Sequence, residues 1–221
     1  FKLDNIDKAI NYSYLAKEKF MQIGNKKEYA SSLLQISEER SKKGELDSAI
    51  EYSTKALAIY RELEDLDKMS NIENNLGRLF FQFDNIEESF VHYEKAKEIR
   101  RNTKDNKLIE TLINICENYI KLKNVSKCNE MLTEILNSME ESSPTSMIEY
   151  YLLKYRVSLL KNDLSEAETT LHIGLNYAKA MNCYKEAAEI AVTLGKFYMD
   201  RKEDAEAAKF LDEGISLFKT A

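Results

Sequence analysis

Residues 75–96 read NLGRLFFQFDNIEESFVHYEKA. Gly77, Ser89 and Ala96 stand at gaps of twelve and seven, with the larger Leu76, Phe80, Ile86 and Tyr93 between them. Two antiparallel helices approach nearer than the usual ~8–10 Å only where the side chains at the crossing are small. The spacing therefore predicts two helices joined by a turn at FDNI. Gly77 on one helix and Ser89 on the next would form the crossing, with the large residues filling the space around it.

The same three columns recur along the chain. The Ser89 position is repeated as Ala9, Ala49, Ser89, Cys128, Ala167 and Ala207, at gaps of 40, 40, 39, 39 and 40. The Ala96 position recurs as Ala16, Ala56, Ala96, Ile135, Gly174 and Gly214, and the Gly77 position as Ser37, Gly77, Cys116, Tyr155 and Gly195. Self-similarity at a fixed period is the signature of a repeat architecture. Tyr155, large where the column is small, predicts a splayed or shifted hairpin at that point.

Composition agrees with helix nearly throughout. One proline and six glycines in 221 residues leave few breakers, and 43% hydrophobic with 32% charged residues is an ordinary water-facing balance. The formal charge is -6 with both signs interspersed, so direct nucleic-acid contact is not expected. No run approaches eighteen apolar residues, which argues against a membrane span. No signal peptide is visible, and three cysteines without C-x-x-C spacing suggest free thiols in a cytoplasmic, reducing setting. The opening FKLDNIDKAI lacks a Met and reads as a piece of something longer.

The run Leu-Gly-x-x-aromatic followed by small-x-x-x-aromatic resembles the tetratricopeptide repeat, a helix–turn–helix unit. It appears as Leu76, Gly77, Phe80, Ser89 and Tyr93, and again, with a leucine closing it, as Leu194, Gly195, Tyr198, Ala207 and Leu211. The departures are the forty-residue period against the usual 34, the missing tryptophan and the nearly absent closing proline. The resemblance implies an all-α fold, a right-handed α-solenoid of antiparallel hairpins with about 11 helices in a single domain over 1–221. Residues 1–22 would be the second helix of an incomplete repeat, followed by full repeats at 27–63, 67–103, 106–141, 145–181 and 184–219. Both ends should expose apolar surface: the first helix lacks its mate, and the last offers Phe210, Leu211, Ile215, Leu217 and Phe218. Neighbouring domains would cover these faces, or a homodimer would form through the terminal helices.

Catalytic motifs are not found. The chain holds no phosphate-binding G-x-x-x-x-G-K-[ST], no G-x-G-x-x-G and no G-x-S-x-G, and no nucleophile–base pair is visible. No catalytic residue, cofactor or metal is expected. His92 and His172, 80 residues apart, read as surface or packing residues. Cys116 and Cys128 occupy the two columns that should meet in one hairpin, where cysteine serves as a small buried hydrophobe; the alternative is a redox pair. Glu38/Glu39 and Glu140/Glu141 diverge on a helix and read as solvated surface.

In the resembled family the first helices of the hairpins line a concave groove that holds a peptide or partner segment. Carried over by register, the groove set is Asn71, Asn74, Asn75, Arg78 and Phe81, then Glu110, Ile113, Asn114, Glu117 and Ile120. It continues with Glu149, Leu152, Arg156 and Leu159, and ends at Val192, Lys196 and Met199. A carboxamide offers a donor and an acceptor together and can bond both polar groups of one peptide unit. The competing role for Asn75 and Asn114 is to bridge neighbouring repeats. A basic clamp for a C-terminal carboxylate looks incomplete, since Asn74 and Arg78 are followed by Glu149 and Leu153.

Three functions stay open: a non-catalytic binding module for a peptide or protein segment, a sensor or self-association region of a regulator, and a phosphatase-like regulatory enzyme. Residues 49–63, AIEYSTKALAIYREL, are similar in style to the tetratricopeptide regions behind helix-turn-helix domains in peptide-responsive bacterial transcription factors, and to those ahead of signalling output domains.

Overall fold

The computed structural model describes residues 2–139 and 143–220, with side chains from Ile6 onward. Glu140, Glu141 and Ser142 lie outside the described residues. Eleven helices and no strand are present among those described. They are α1 (Lys2–Gln22), α2 (Lys26–Lys42), α3 (Leu46–Glu62), α4 (Leu66–Gln82), α5 (Ile86–Thr103) and α6 (Leu108–Lys121). Then come α7 (Val125–Asn137), α8 (Pro144–Leu160), α9 (Leu164–Ala180), α10 (Tyr184–Asp200) and α11 (Asp204–Thr220). The fold class is the expected all-α, tetratricopeptide-like α-solenoid of helical hairpins.

The helices stop without needing many glycines. A single left-handed residue closes most turns: Gly24 and Gly44, then Glu64, Asp84, Lys104, Lys123, Asn162, Asn182 and Lys202, all between φ 52° and 79°. In most turns the following residue is an N-cap. Asn25, Asp65, Asn85, Asn124 and Asp163 each accept a bond from the backbone N–H three residues on, satisfying one of the helix's orphan donors. Pro144 stands at the first turn of α8 behind the cap Ser143, where its missing N–H costs nothing.

The chain forms two compact units, residues 1–111 and 112–221, divided within α6. In unit 1 the core gathers Leu33, Ala49, Ala56, Tyr60, Ile72 and Leu76. In unit 2 it gathers Leu171, Ile190, Leu194, Phe197, Tyr198 and Phe210 around the alanines 167, 178, 187, 191 and 207.

The small-residue register produces a repeated contact inside the hairpins. The first-helix residue meets the backbone of the residue twelve on: Ser37 Oγ donates to the Ala49 carbonyl at 2.6 Å, and Cys116 Sγ lies 3.9 Å from that of Cys128. A Cβ on Gly195 would be 3.3 Å from the carbonyl of Ala207. It also gives way to the side chain sixteen on. A Cβ on Gly77 would fall 2.5 Å from Cδ1 of Tyr93, and one on Gly195 2.7 Å from Cγ of Leu211. The sequence expectation of a Gly77–Ser89 crossing therefore needs one refinement: Gly77 is small to admit the buried Tyr93 ring. Where the column carries Tyr155, the ring stays half-buried and meets Phe197 of α10 edge-on, centroids 6.3 Å apart.

Candidate functional site

An open cleft lies on the first helices of each unit. In unit 1 a cleft of about 720 Å³ lies between α2 and α4. Ser31, Gln35, Glu38 and Lys42 contribute from α2, and Asn75 and Arg78 from α4. Leu34 and Leu79 supply its apolar patches. Glu38 and Lys42 pair at 2.9 Å along one helix face, and Lys42 also reaches Glu39 at 3.0 Å. These hydrogen bonds hold the Lys42 ammonium pKa above its ordinary value. Arg78 is exposed and donates to the neutral Asn75 Oδ1 at 3.3 Å.

In unit 2 a cleft of about 420 Å³ is lined by Ile113, Glu117, Leu152, Tyr155, Arg156 and Thr193 from α6, α8 and α10, with Glu149 and Leu153 beside them. Its walls are mainly apolar. Its guanidinium is already engaged, because Arg156 donates to Glu117 in an ion pair between consecutive first helices.

Of the residues expected to line a groove, Asn75, Arg78, Ile113, Glu117, Glu149, Leu152 and Arg156 do line one of these clefts. Asn74 is the clearest departure. It is 2% exposed, and its amide donates to Glu110 at 3.0 Å, so it ties α4 to the start of α6 instead of facing a ligand. Asn71 is likewise committed, accepting from Arg100 at 2.9 Å and Lys107 at 3.3 Å while donating to Asp67. Phe81, Asn114, Ile120, Leu159 and Lys196 are not among the residues lining either cleft.

Sequence reasoning missed the α2 wall entirely, although the signal was present. Ser31, Leu34, Gln35, Glu38 and Ser41 lie forty positions before Asn71, Asn74, Asn75, Arg78 and Phe81. It also missed Arg100, a fully buried guanidinium near the end of α5. Arg100 donates to the Lys107 carbonyl at 2.8 Å, to Thr111 Oγ1 at 2.5 Å and to Asn71, with Glu110 at 3.6 Å. Burial lowers its pKa against the pull of Glu110 and Asp105. The arrangement ties α4, α5 and the turn into α6 together.

The remaining candidates have packing roles. His92 Nδ1 lies 2.6 Å from the buried Glu73 and stacks on Phe80. His172 Nε2 lies 3.1 Å from Tyr198 OH, which donates to Glu168 and is pushed up to about 12 by burial and that carboxylate. Cys116 and Cys128 are buried free thiols, and burial raises both pKa values, Cys116 the further. A thiol held protonated is a poor nucleophile, which favours the packing role. Among the described residues no group of three or more His, Cys, Asp or Glu could hold a metal ion. No helix there is long and apolar enough to cross a membrane.

The terminal helices keep some apolar surface in the open, though not every residue expected. On α1, Tyr12 and Leu15 are exposed, as is Ile23 just beyond it; on α11, Ile215 and Phe218 are. Phe210 instead is 5% exposed, stacked on Tyr198 with centroids 5.5 Å apart.

Comparison with known proteins places the chain further. The model of the family described as SNAP, soluble NSF attachment protein, matches residues 1–178. The transcriptional activator NprA of Geobacillus stearothermophilus is 29% identical over 182 residues. That match takes in 80% of this chain, which spans only 45% of that relative. BtubC (BKLC) from P. vanneervenii superposes with a TM-score of 0.78 at 14% identity, covering 97% of this chain and 91% of that one. The apo form of the quorum sensor NprR from B. thuringiensis gives 0.71 at 14% identity, covering 95% and 59%. These structural likenesses are of fold.

Proposed function

The chain belongs to the soluble NSF attachment protein family, and from that premise we propose that it is a non-catalytic binding region of a larger regulator, holding a peptide or protein segment against its first helices. The observation that carries this reading is the placement of the clefts. In both units they open on the helices that lead each hairpin, with carboxamides, hydroxyls and leucines lining that of unit 1 and mainly apolar side chains that of unit 2, a surface suited to an extended chain. The similarity to a transcriptional activator, less than half of which the match covers, supports a sensor role, with an attached output region moved by ligand binding.

The test is hydrogen exchange with a peptide selected from a random octapeptide pool. Protection confined to the first helices α2, α4, α6, α8 and α10 is the expected result. Protection of α3, α5 and α9 instead, or failure of any peptide to be selected, contradicts it.

A second reading is self-association through the terminal helices. Tyr12 and Ile23 at 70% exposure and Leu15 at 58% favour it. Sedimentation of the wild type beside a Leu15→Glu, Ile23→Glu variant checks it: a dimer that the variant loses supports it, and a wild-type monomer contradicts it.

A further inference from the structure

Resting on the peptide reading above, we propose that the α2–α4 cleft selects its ligand by an Asp or Glu side chain, and that Arg78 is the residue that reads it. The argument begins with one column of the register. Glu38, Arg78, Glu117, Arg156 and Lys196 occupy the same step of successive first helices, at gaps of 40, 39, 39 and 40. The first four alternate in sign.

In unit 2 the alternation neutralises itself, since Arg156 pairs with Glu117. In unit 1 it does not. Glu38 takes the ammonium of Lys42 from its own helix at 2.9 Å, which leaves Arg78 with the neutral Asn75 as its hydrogen-bond partner. Among the described residues no carboxylate pairs with Arg78. The cleft's own charges, Glu38, Lys42 and Arg78, therefore leave a surplus of one cation at Arg78.

Three features commit this cation to a carboxylate on a peptide. The planar guanidinium fork matches a carboxylate with two parallel N–H bonds, whereas one arginine alone leaves a phosphate dianion under-neutralised. Gln35 and Asn75, also forty residues apart in register, each offer a donor and an acceptor to a main-chain amide. The whole chain carries a formal charge of -6, so its overall field repels acidic peptides. A preference for them has to come from a local cation.

The experiment selects binders from a random octapeptide pool on the wild-type chain, on Arg78→Gln, on Arg78→Glu and on Lys95→Gln, a net-charge control on the exposed surface of α5. Circular dichroism confirms that each variant is folded. Asp or Glu should be enriched roughly five-fold at one position on the wild type and on Lys95→Gln. The enrichment should vanish on Arg78→Gln and turn to Lys or Arg on Arg78→Glu. Peptides enriched without an acidic position, or an acidic position that survives Arg78→Gln, overturn the assignment while leaving peptide binding intact. No enrichment of any sequence on the wild type overturns peptide binding itself, and this inference with it.

Discussion

Among the described residues, unit 1 buries ten polar or charged side chains, including Glu73, Asn74 and Arg100, whereas unit 2 buries three, Asn118, Ser158 and Thr170. Both units rest on the same column of small residues and the same twelve- and sixteen-residue contacts. Unit 1 fills the space around those contacts with hydrogen-bonded groups. Unit 2 fills it with alanine, leucine and stacked aromatics. The difference shows how the repeat divides its labour. The small positions set how near the helices come, and the positions one step aside are free to vary. The cleft of unit 1, with its carboxamides and Arg78, and the more apolar cleft of unit 2 then follow from the free positions alone.

The two arginines give the sharpest way to break this comparison. Arg100→Ala would strip donors from Asn71, Thr111 and the Lys107 carbonyl inside unit 1, and should cost about 3 kcal/mol in urea unfolding. Arg156→Ala removes a pair at the mouth of the unit 2 cleft and should cost less than about 1 kcal/mol. Equal losses would mean that the buried polar groups of unit 1 hold little together.

Glycine packing comes next. Gly77→Ala drives a Cβ against the buried ring of Tyr93 and should destabilise by about 1–2 kcal/mol. Gly195→Ala meets the half-buried, more flexible Leu211, and the gain of about 1 kcal/mol in helix propensity offsets much of the clash. Thermal denaturation of the two variants side by side ranks them.

The caps and turns give smaller effects. Asp65→Ala should cost about 1 kcal/mol at neutral pH. The Lys68 backbone N–H, and then Lys27, hold the Asp65 carboxyl below its usual range. Its contribution is therefore present above the unfolded value near ~3.9 and is lost as pH falls through the lower folded value. The gap between Asp65→Ala and wild type should narrow accordingly in acid-titrated unfolding curves. Replacing Lys104, held at φ 53°, by glycine should stabilise by about 0.5–1 kcal/mol, because a left-handed residue with a Cβ is strained. A loss of stability there would contradict the strain.

The hairpins were legible in the sequence because their determinant is local and periodic: Ala49, Cys128 and Ala207 mark a backbone contact whatever surrounds them. The cleft was legible only in part. Asn74 and Asn75 are adjacent carboxamides on one helix, yet Asn74 is buried against Glu110, 36 residues on, and Asn75 lines the cleft. Which of the two faces a ligand depends on a partner that no pattern inside α4 specifies. Arg100 is harder still. Either of the two adjacent arginines in the run EIRRNTKD reads as surface, and the burial of Arg100 follows from Asn71, Thr111 and the Lys107 carbonyl converging from either side. The α2 wall lay in plain register and needed only the step back of forty residues.

The central claim is that a first-helix residue and the side chain sixteen positions on share one space, so that one must be small where the other is large. A double-mutant cycle on Gly77→Ala and Tyr93→Leu in urea unfolding measures this directly. The account expects alanine at 77 to be harmful beside tyrosine and nearly neutral beside leucine, a coupling of about 1 kcal/mol or more. Strict additivity of the two substitutions would contradict it.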